Sequence, residues 1–359
     1  MDFLFWKNKR VFITGHTGFK GGWLSHWLSE LGANITGYSL EPITSPNLYS
    51  YTKLDSTIKS IIGDIRDTVL LKESLEKSKP EIIFHLAAQP LVRESYSDPI
   101  ETLTTNVIGT ANLLEHARKL NHLCSVVNIT TDKCYENNEW FWSYRENEPL
   151  GGQDPYSASK ACSEIVSNAY RKSFFNPEGK VFMATARAGN VIGGGDWSAD
   201  RLVPDIIEAY SKDHPVKIRN PNSIRPWQHV LEPIRGYLML AEKLYTEGEK
   251  FAEAWNFGPN ETDAKSVKFI SEKLSKFWNI KEPCWIAQDG DHPHEANYLK
   301  LDISKAKHKL GWSPILNLER SLELTATWHK EISKGIDPTD VTLKQISEYQ
   351  SLVADQHDH

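Results

Sequence analysis

The chain has 359 residues, 40% hydrophobic and 25% charged, a globular composition with room for two domains or lobes. A formal net charge of -6 argues against nucleic acid as a partner, and no apolar run nears the ~18 residues of a membrane span. The four cysteines form no C-x-x-C pair and no secretory-type apolar segment opens the chain, so a reduced, cytoplasmic protein is expected.

Arg10–Thr14 reads as a strand. Gly15-x-x-Gly18-x-x-Gly21 follows it, opening a helix over 21–31 that Gly32 stops. At such a strand-to-helix turn the backbone approaches a pyrophosphate, and the helix N-terminus supplies N–H groups and a favourable dipole. Thr17 and Phe19 lie inside this candidate dinucleotide cradle. A second strand, 33–39, ends in Gly37-Tyr38-Ser39-Leu40 without the acidic residue that usually binds the adenosine ribose. No arginine cluster stands there either, which favours NAD over NADP and predicts loose dinucleotide binding. After a short strand at Lys59–Ile62, Gly63-Asp64-Ile65 offers a carboxylate to an adenine amino group.

A helix over 69–78 and a strand over 81–86 come next. The small residues after it, His85-Leu86-Ala87-Ala88-Gln89, let a cofactor lie against the backbone. One long helix is expected over 100–120, then a strand over 123–129 closed by Thr130-Thr131-Asp132-Lys133. Tyr156-x-x-x-Lys160 then opens a helix, and the i, i+4 spacing places phenol and ammonium on one face. A nearby cation brings a phenol towards the range of a working base. Tyr49 and Lys53 share that spacing, but in a polar stretch with no site beside it.

This alternation predicts an α/β fold: a Rossmann-like doubly wound parallel sheet over 1–186, with 230–257 returning to it. A smaller C-terminal α+β lobe, 187–229 and 258–359, is expected to bind substrate. The twelve tryptophans read mainly as packing. No metal site is expected, since His292, His294, His357 and His359 lack further ligands at workable spacing.

The glycine pattern, His85-Leu86-Ala87-Ala88, Asn106-x-x-Gly109-Thr110, Thr130-Thr131-Asp132 and Tyr156-x-x-x-Lys160 together resemble the extended short-chain dehydrogenase/reductases. Within them the chain is similar to the nucleotide-sugar 4,6-dehydratases. Arg187-x-x-Asn190-Val191-x-Gly193, Arg225-Pro226-Trp227-x-x-Val230 and Asn256-Phe257-Gly258-Pro259 carry the likeness into the second lobe. The resemblance implies NAD as cofactor, with Asn106 among the residues around it, and Asn190 and Arg225 on the substrate diphosphate. Gln89 and Arg93 face either the sugar or solvent, and Arg219 is a candidate for the base or ribose. His294 and Glu295 are candidates for closing the site from the far lobe.

The implied chemistry starts with Tyr156 taking the proton of the sugar 4-hydroxyl while C4 gives hydride to NAD. Thr131 hydrogen-bonds the 4-oxygen. The C5 proton is removed, Asp132 protonates the departing 6-hydroxyl, and hydride returns to C6. Burial is expected to keep Asp132 protonated for this task. Lys133 stands where most of these enzymes carry a glutamate as C5 base. It serves either as a neutral amine base or as a cation that stabilises the C5 enolate.

Lys133, Arg225-Pro226-Trp227-Gln228-His229 and His294-Glu295-Ala296 resemble the branch of the family acting on CDP-glucose. That branch implies dideoxy-sugar supply for O-antigen lipopolysaccharide. It also implies a homodimer paired through helix 100–120 and the helix after Tyr156. Two rivals remain: a nucleotide-sugar 4-epimerase, and an NAD-sensing regulator without catalysis. Asp132 with Lys133 favours dehydration, and an intact Tyr156/Lys160 pair argues against a sensor.

Overall fold

The computed structural model describes residues 1–175, 179–288 and 298–355. Its central sheet has seven strands: β1 Arg10–Thr14, β2 Asn34–Ser39, β3 Lys59–Ile62, β4 Ile82–His85, β5 Cys124–Ile129, β6 Val181–Ala188 and β7 Ala254–Phe257. All neighbours run parallel, in the order β7-β6-β5-β4-β1-β2-β3. β4 and β5 are buried along their whole length, because helices cover both faces of the sheet. The fold is a Rossmann-like doubly wound α/β sheet. Connectivity reverses between β1 and β4, whose ends are registered Thr14 to His85, and a crevice opens beyond their carboxyl ends.

Helices Phe19–Glu30, Leu231–Glu247 and Pro338–Asp355 fill one face of the sheet, around fully buried Trp6, Trp23, Trp27, Trp255, Trp312 and Trp328. Thr68–Ser78, Gly109–Ala117 and Pro155–Ser173 cover the other. The single helix expected over 100–120 is three pieces: Pro99–Leu103, a π-turn at Thr104–Ile108, and Gly109–Ala117. The widened turn holds Asn106, whose buried amide reaches neighbouring elements rather than solvent. π-turns of this kind mark functional places in helices.

The second lobe packs helices Leu202–Ser211, Val267–Trp278 and Leu318–Ser333 around Ile206, Leu274 and Leu322. Short strand pairs join it: Val191–Ile192 with Gln228–His229, Ile224–Pro226 with Ala264–Ser266, and Val216–Ile218 with Trp285–Ala287. Helix Pro338–Asp355, from the segment expected in this lobe, packs on Phe19–Glu30 of the sheet domain. There Tyr349 meets Trp27 edge-on at 5.5 Å, and its hydroxyl donates to Glu232 at 2.8 Å. All four cysteines are free thiols. Among the described residues no helix is long and apolar enough to cross a membrane.

Candidate active site

The crevice begins at Gly15, which follows β1 with φ 78° and donates its N–H to the Tyr38 carbonyl at 2.9 Å. A Cβ there would stand 2.7 Å from the Ala87 amide nitrogen, so glycine alone lets the turn meet Leu86-Ala87-Ala88. The Thr14 hydroxyl closes the same seam, accepting from the Leu86 and Ala87 N–H groups at 3.1 Å each. Gly18, exposed, precedes helix Phe19–Glu30 and makes no side-chain cap. The open N–H groups and positive dipole end fit a dinucleotide pyrophosphate.

The expected cofactor contacts divide around this cradle. Thr17 turns its hydroxyl to Ser39 (2.8 Å) and the Leu40 carbonyl (2.9 Å), tying the turn to the end of β2. Half-buried Phe19 packs against the main core, and Ile65 lies inside the second one. Asp64 is held by Arg66, which bonds both carboxylate oxygens and lowers the acid's pKa. Arg66 also reaches Glu101 on Pro99–Leu103.

Asn106 donates to the Gln89 carbonyl (3.1 Å) and Ser159 Oγ (2.8 Å), and accepts from the Gln89 N–H at 2.8 Å. It thereby joins the turn after β4 to the helix that carries Tyr156. The Gln89 amide donates to the Leu91 carbonyl and Thr102 hydroxyl, at 3.0 and 2.8 Å. Expected to face sugar or solvent, Gln89 has its amide taken up by Leu91 in its own turn and by Thr102 on helix Pro99–Leu103.

The candidate reacting cluster sits just beyond β5 and on the helix Pro155–Ser173. Asp154 caps that helix, accepting from Ser157 N–H at 2.9 Å, and Pro155 starts its first turn. Tyr156, Lys160 and Glu164 follow on one buried face. Beneath them Glu164 accepts from Thr130 (2.5 Å), Thr185 (2.8 Å) and Arg187 (2.9 Å), pinning the end of β5 to β6.

Thr131 caps the tight turn Asp132–Cys134. Its hydroxyl donates to Asp132 Oδ1 at 2.9 Å and accepts from the Lys133 N–H at 3.3 Å. Asp132 is 3% exposed, and its Oδ2 has no partner among the described residues. A Cβ on Gly189 would lie 1.9 Å from that oxygen, so the missing side chain makes room for the carboxyl. Lys133 is half-buried beside it.

Burial pushes the Tyr156 phenol up to about 12, while Arg201 and a hydrogen bond with Thr131 pull it down. The cation bearing on the phenol is Arg201, where the motif alone points to Lys160. Burial and the neighbouring Lys20 lower Lys160 to about 8. Lys20 is likewise lowered to about 8, by burial and Arg201. Arg201 is anchored by buried Asp196 at 3.2 Å.

Sequence reasoning passed over Lys20, Gly189, Asp196 and Arg201. The signal for Lys20 was a charge inside a glycine turn, and for Gly189 its place just before Asn190. Nothing local marked Asp196 or Arg201.

In the second lobe, Asn190 has left-handed backbone, φ 44°, and its carbonyl accepts from the Gln228 N–H at 3.2 Å. Arg225 lies on Ile224–Pro226, registered with Lys265, and bonds the Ile224 carbonyl at 3.0 Å. Arg93 and Arg219 converge on Asp200, at 2.9 and 4.0 Å. His294 and Glu295 lie outside the described residues.

Residues 12–325 match the family model described as GDP-mannose 4,6 dehydratase. The chain belongs to that family. Within the 4,6-dehydratases, a CDP-glucose 4,6-dehydratase of Salmonella typhimurium is 54% identical, covering 98% of this chain and 99% of its own. A dTDP-glucose 4,6-dehydratase of Haemophilus influenzae is 27% identical over 89% of this chain and 97% of its own. Among solved structures, a UDP-glucose 4-epimerase of Thermotoga maritima superposes with TM-score 0.79 at 23% identity, covering 90% and 99% of the two chains. A UDP-glucuronic acid 4-epimerase of Bacillus cereus, in complex with UDP-glucuronic acid and NAD, gives 0.76 at 25% identity, covering 90% and 99%.

Proposed function

We propose that this chain is an NAD-dependent hydro-lyase converting CDP-D-glucose to CDP-4-dehydro-6-deoxy-D-glucose. The observation that carries the reading is Asp132, a buried carboxyl that accepts from the Thr131 hydroxyl and has one oxygen without a partner among the described residues. Oxidation or epimerisation at C4 has no use for an acid there, whereas expelling a 6-hydroxyl as water requires one. The high identity to a CDP-glucose enzyme supports the cytosine base.

The glycine cradle and the seam of Leu86 to Ala88 would hold the dinucleotide, with Asn106 bracing them. When bound, NAD accepts the C4 hydride and returns it to C6. Tyr156 takes the O4 proton, and Thr131 orients O4. Asp132 gives its proton to O6. Lys133, at the edge of the cluster, serves the C5 proton or the charge that develops when it leaves. Arg201 supplies the positive field in which the phenol works, with Lys160 one helical turn beyond Tyr156 on the same buried face. Asn190 and Arg225 would hold the diphosphate, with Arg219 nearby; a guanidinium fork suits phosphate. Exposed Ile100, Ile108 and Ile165 on adjoining helices support a homodimer, and the free thiols suit the cytoplasm.

The test is incubation of the purified chain with NAD and each of CDP-glucose, dTDP-glucose, UDP-glucose and GDP-mannose. The alkali-induced absorbance of a 4-keto-6-deoxy sugar is expected with CDP-glucose. A C4 epimer without that absorbance would replace the reading with an epimerase, and four untouched substrates would remove catalysis altogether.

A further inference from the structure

The tight turn Asp132–Cys134 has one buried ion pair at both of its ends. Just before it the Thr130 hydroxyl donates to Glu164 at 2.5 Å, and just after it the Tyr135 hydroxyl accepts from Arg187 at 2.7 Å. Glu164 and Arg187 bond each other at 2.9 Å, and both are buried. Glu164 lies on the helix of Tyr156, two helical turns further along the same buried face. The pair therefore joins that helix to both ends of the turn.

Further bonds anchor the pair. Glu164 accepts from Thr185 at 2.8 Å, and Arg187 donates a second time to the Glu146 carbonyl at 3.2 Å. The guanidinium lies 4.8 Å from the centre of the Tyr135 ring, which stacks on Tyr144 at 5.2 Å. The Tyr135 hydroxyl donates on to Asn256 of β7 at 2.8 Å, and the Asn256 amide reaches the Tyr144 and Asp302 carbonyls at 2.9 and 3.1 Å. Taking two charges out of water costs about what their attraction returns, so such a pair adds little stability over apolar residues of the same shape. What it fixes is geometry, because a guanidinium fork bonds in set directions that no apolar contact imposes.

We propose that Glu164 and Arg187 are positioning residues, a buried clamp that holds the Asp132 turn in register with Tyr156 so that elimination keeps pace with oxidation. This rests on the acid and base assigned under the proposed function. Oxidation at C4 needs Tyr156 and the dinucleotide, which the glycine cradle and Asn106 hold without the clamp. Elimination needs, in addition, Asp132 and Lys133 on the turn. Tyr135 closes the turn on the Lys133 side, whereas Thr131 caps it at the other end. Releasing the Tyr135 end therefore slows elimination more than oxidation, and the reduced cofactor accumulates in between.

The experiment follows single turnovers of CDP-glucose with NAD by the near-ultraviolet absorbance of the reduced cofactor. It rises with C4 oxidation and falls once elimination lets hydride return. Tyr135→Phe keeps the ring and its stacking but frees that end of the turn. The fall is expected to slow at least ~10-fold, while the rise stays within ~3-fold of wild type. Glu164→Gln with Arg187→Met removes both charges together, leaving no lone buried charge, and carries the same expectation should the tyrosine variant fail to fold. Thr185→Val removes a bond to the same carboxylate without touching the turn, and the ratio of the two rates is expected to stay at the wild-type value. Equal slowing of both phases, slowing of neither, or a ratio moved as far by Thr185→Val would overturn the clamp, since the pair would then serve the fold alone. CDP-glucose left untouched by the wild-type chain would instead overturn the function proposed above, and the clamp with it.

Discussion

At the scale of single residues, Gly189 shows how a missing side chain makes room for a buried carboxyl, the acid proposed above. Any Cβ there occupies the place of Asp132 Oδ2, which is backed by its own tight turn and has nowhere equivalent to go. Gly189→Ala is expected to lower kcat by about 100-fold, the scale of a misplaced catalytic group, with dinucleotide affinity unchanged. Rates and dissociation constants measured side by side check this. Lys160 sets a pH limit. Burial and Lys20 depress it from 10.5 to about 8, so in the fold it is an ammonium below that pH and neutral above. The unfolded chain keeps this proton to about 10.4, so stability from this group rises with pH across the window between. Activity that needs the ammonium moves the other way. We expect kcat/KM to fall above about pH 8, and Lys20→Met to shift the limb upward by removing a like charge. A profile flat to pH 10 would show that Lys160 keeps its charge in the working enzyme.

Among the elements, the π-turn at Thr104–Ile108 matters most to the site. It lets Asn106 face inward and make three hydrogen bonds, which join the turn after β4 to the helix of Tyr156. Asn106→Ala leaves the Gln89 amide and carbonyl without their buried partner. It should cost about 1–3 kcal/mol in urea unfolding and weaken dinucleotide binding as the turn loosens. Unchanged stability would mean that Ser159 and the Gln89 backbone find other partners. The glycine turn is braced in the same manner, with Thr17 on Ser39 and His16 on Ser60 at 2.7 Å. Thr17 stands where β2 ends without an acidic residue for the ribose.

For the whole molecule, the outer face of the helices beside the site is left apolar. Ile100 is 67% exposed, Ile108 52% and Ile165 55%, on elements that also carry Asn106 and Tyr156. A second copy covering this face would tie assembly to the position of the active-site helix. Ile165→Glu is expected to yield a monomer by sedimentation with an unchanged circular dichroism spectrum. A variant still dimeric would assign the contact to another surface.

The β1-to-β5 alternation, the glycine turn and the Thr131, Asp132, Tyr156 and Lys160 motifs were legible in the residues, whereas the strand Val181–Ala188 was not read. Each depends on a local rule: burial on both faces for parallel strands, helical periodicity, and the steric needs of one tight turn. The π-turn was not, because the partners its Asn106 meets, Gln89 and Ser159, come from distant parts of the chain. Nor was the packing of Pro338–Asp355, a segment read as part of the second lobe, whose Tyr349 meets Trp27 and Glu232. Asp132 was visible as an acid, but its Oδ2 has room only because Gly189, which lies against it in space, lacks a side chain. The field on Tyr156 likewise comes from Arg201, far along the chain. Contacts and charges act through distance in three dimensions, so residue types and spacings named the chemistry while folding alone set its geometry.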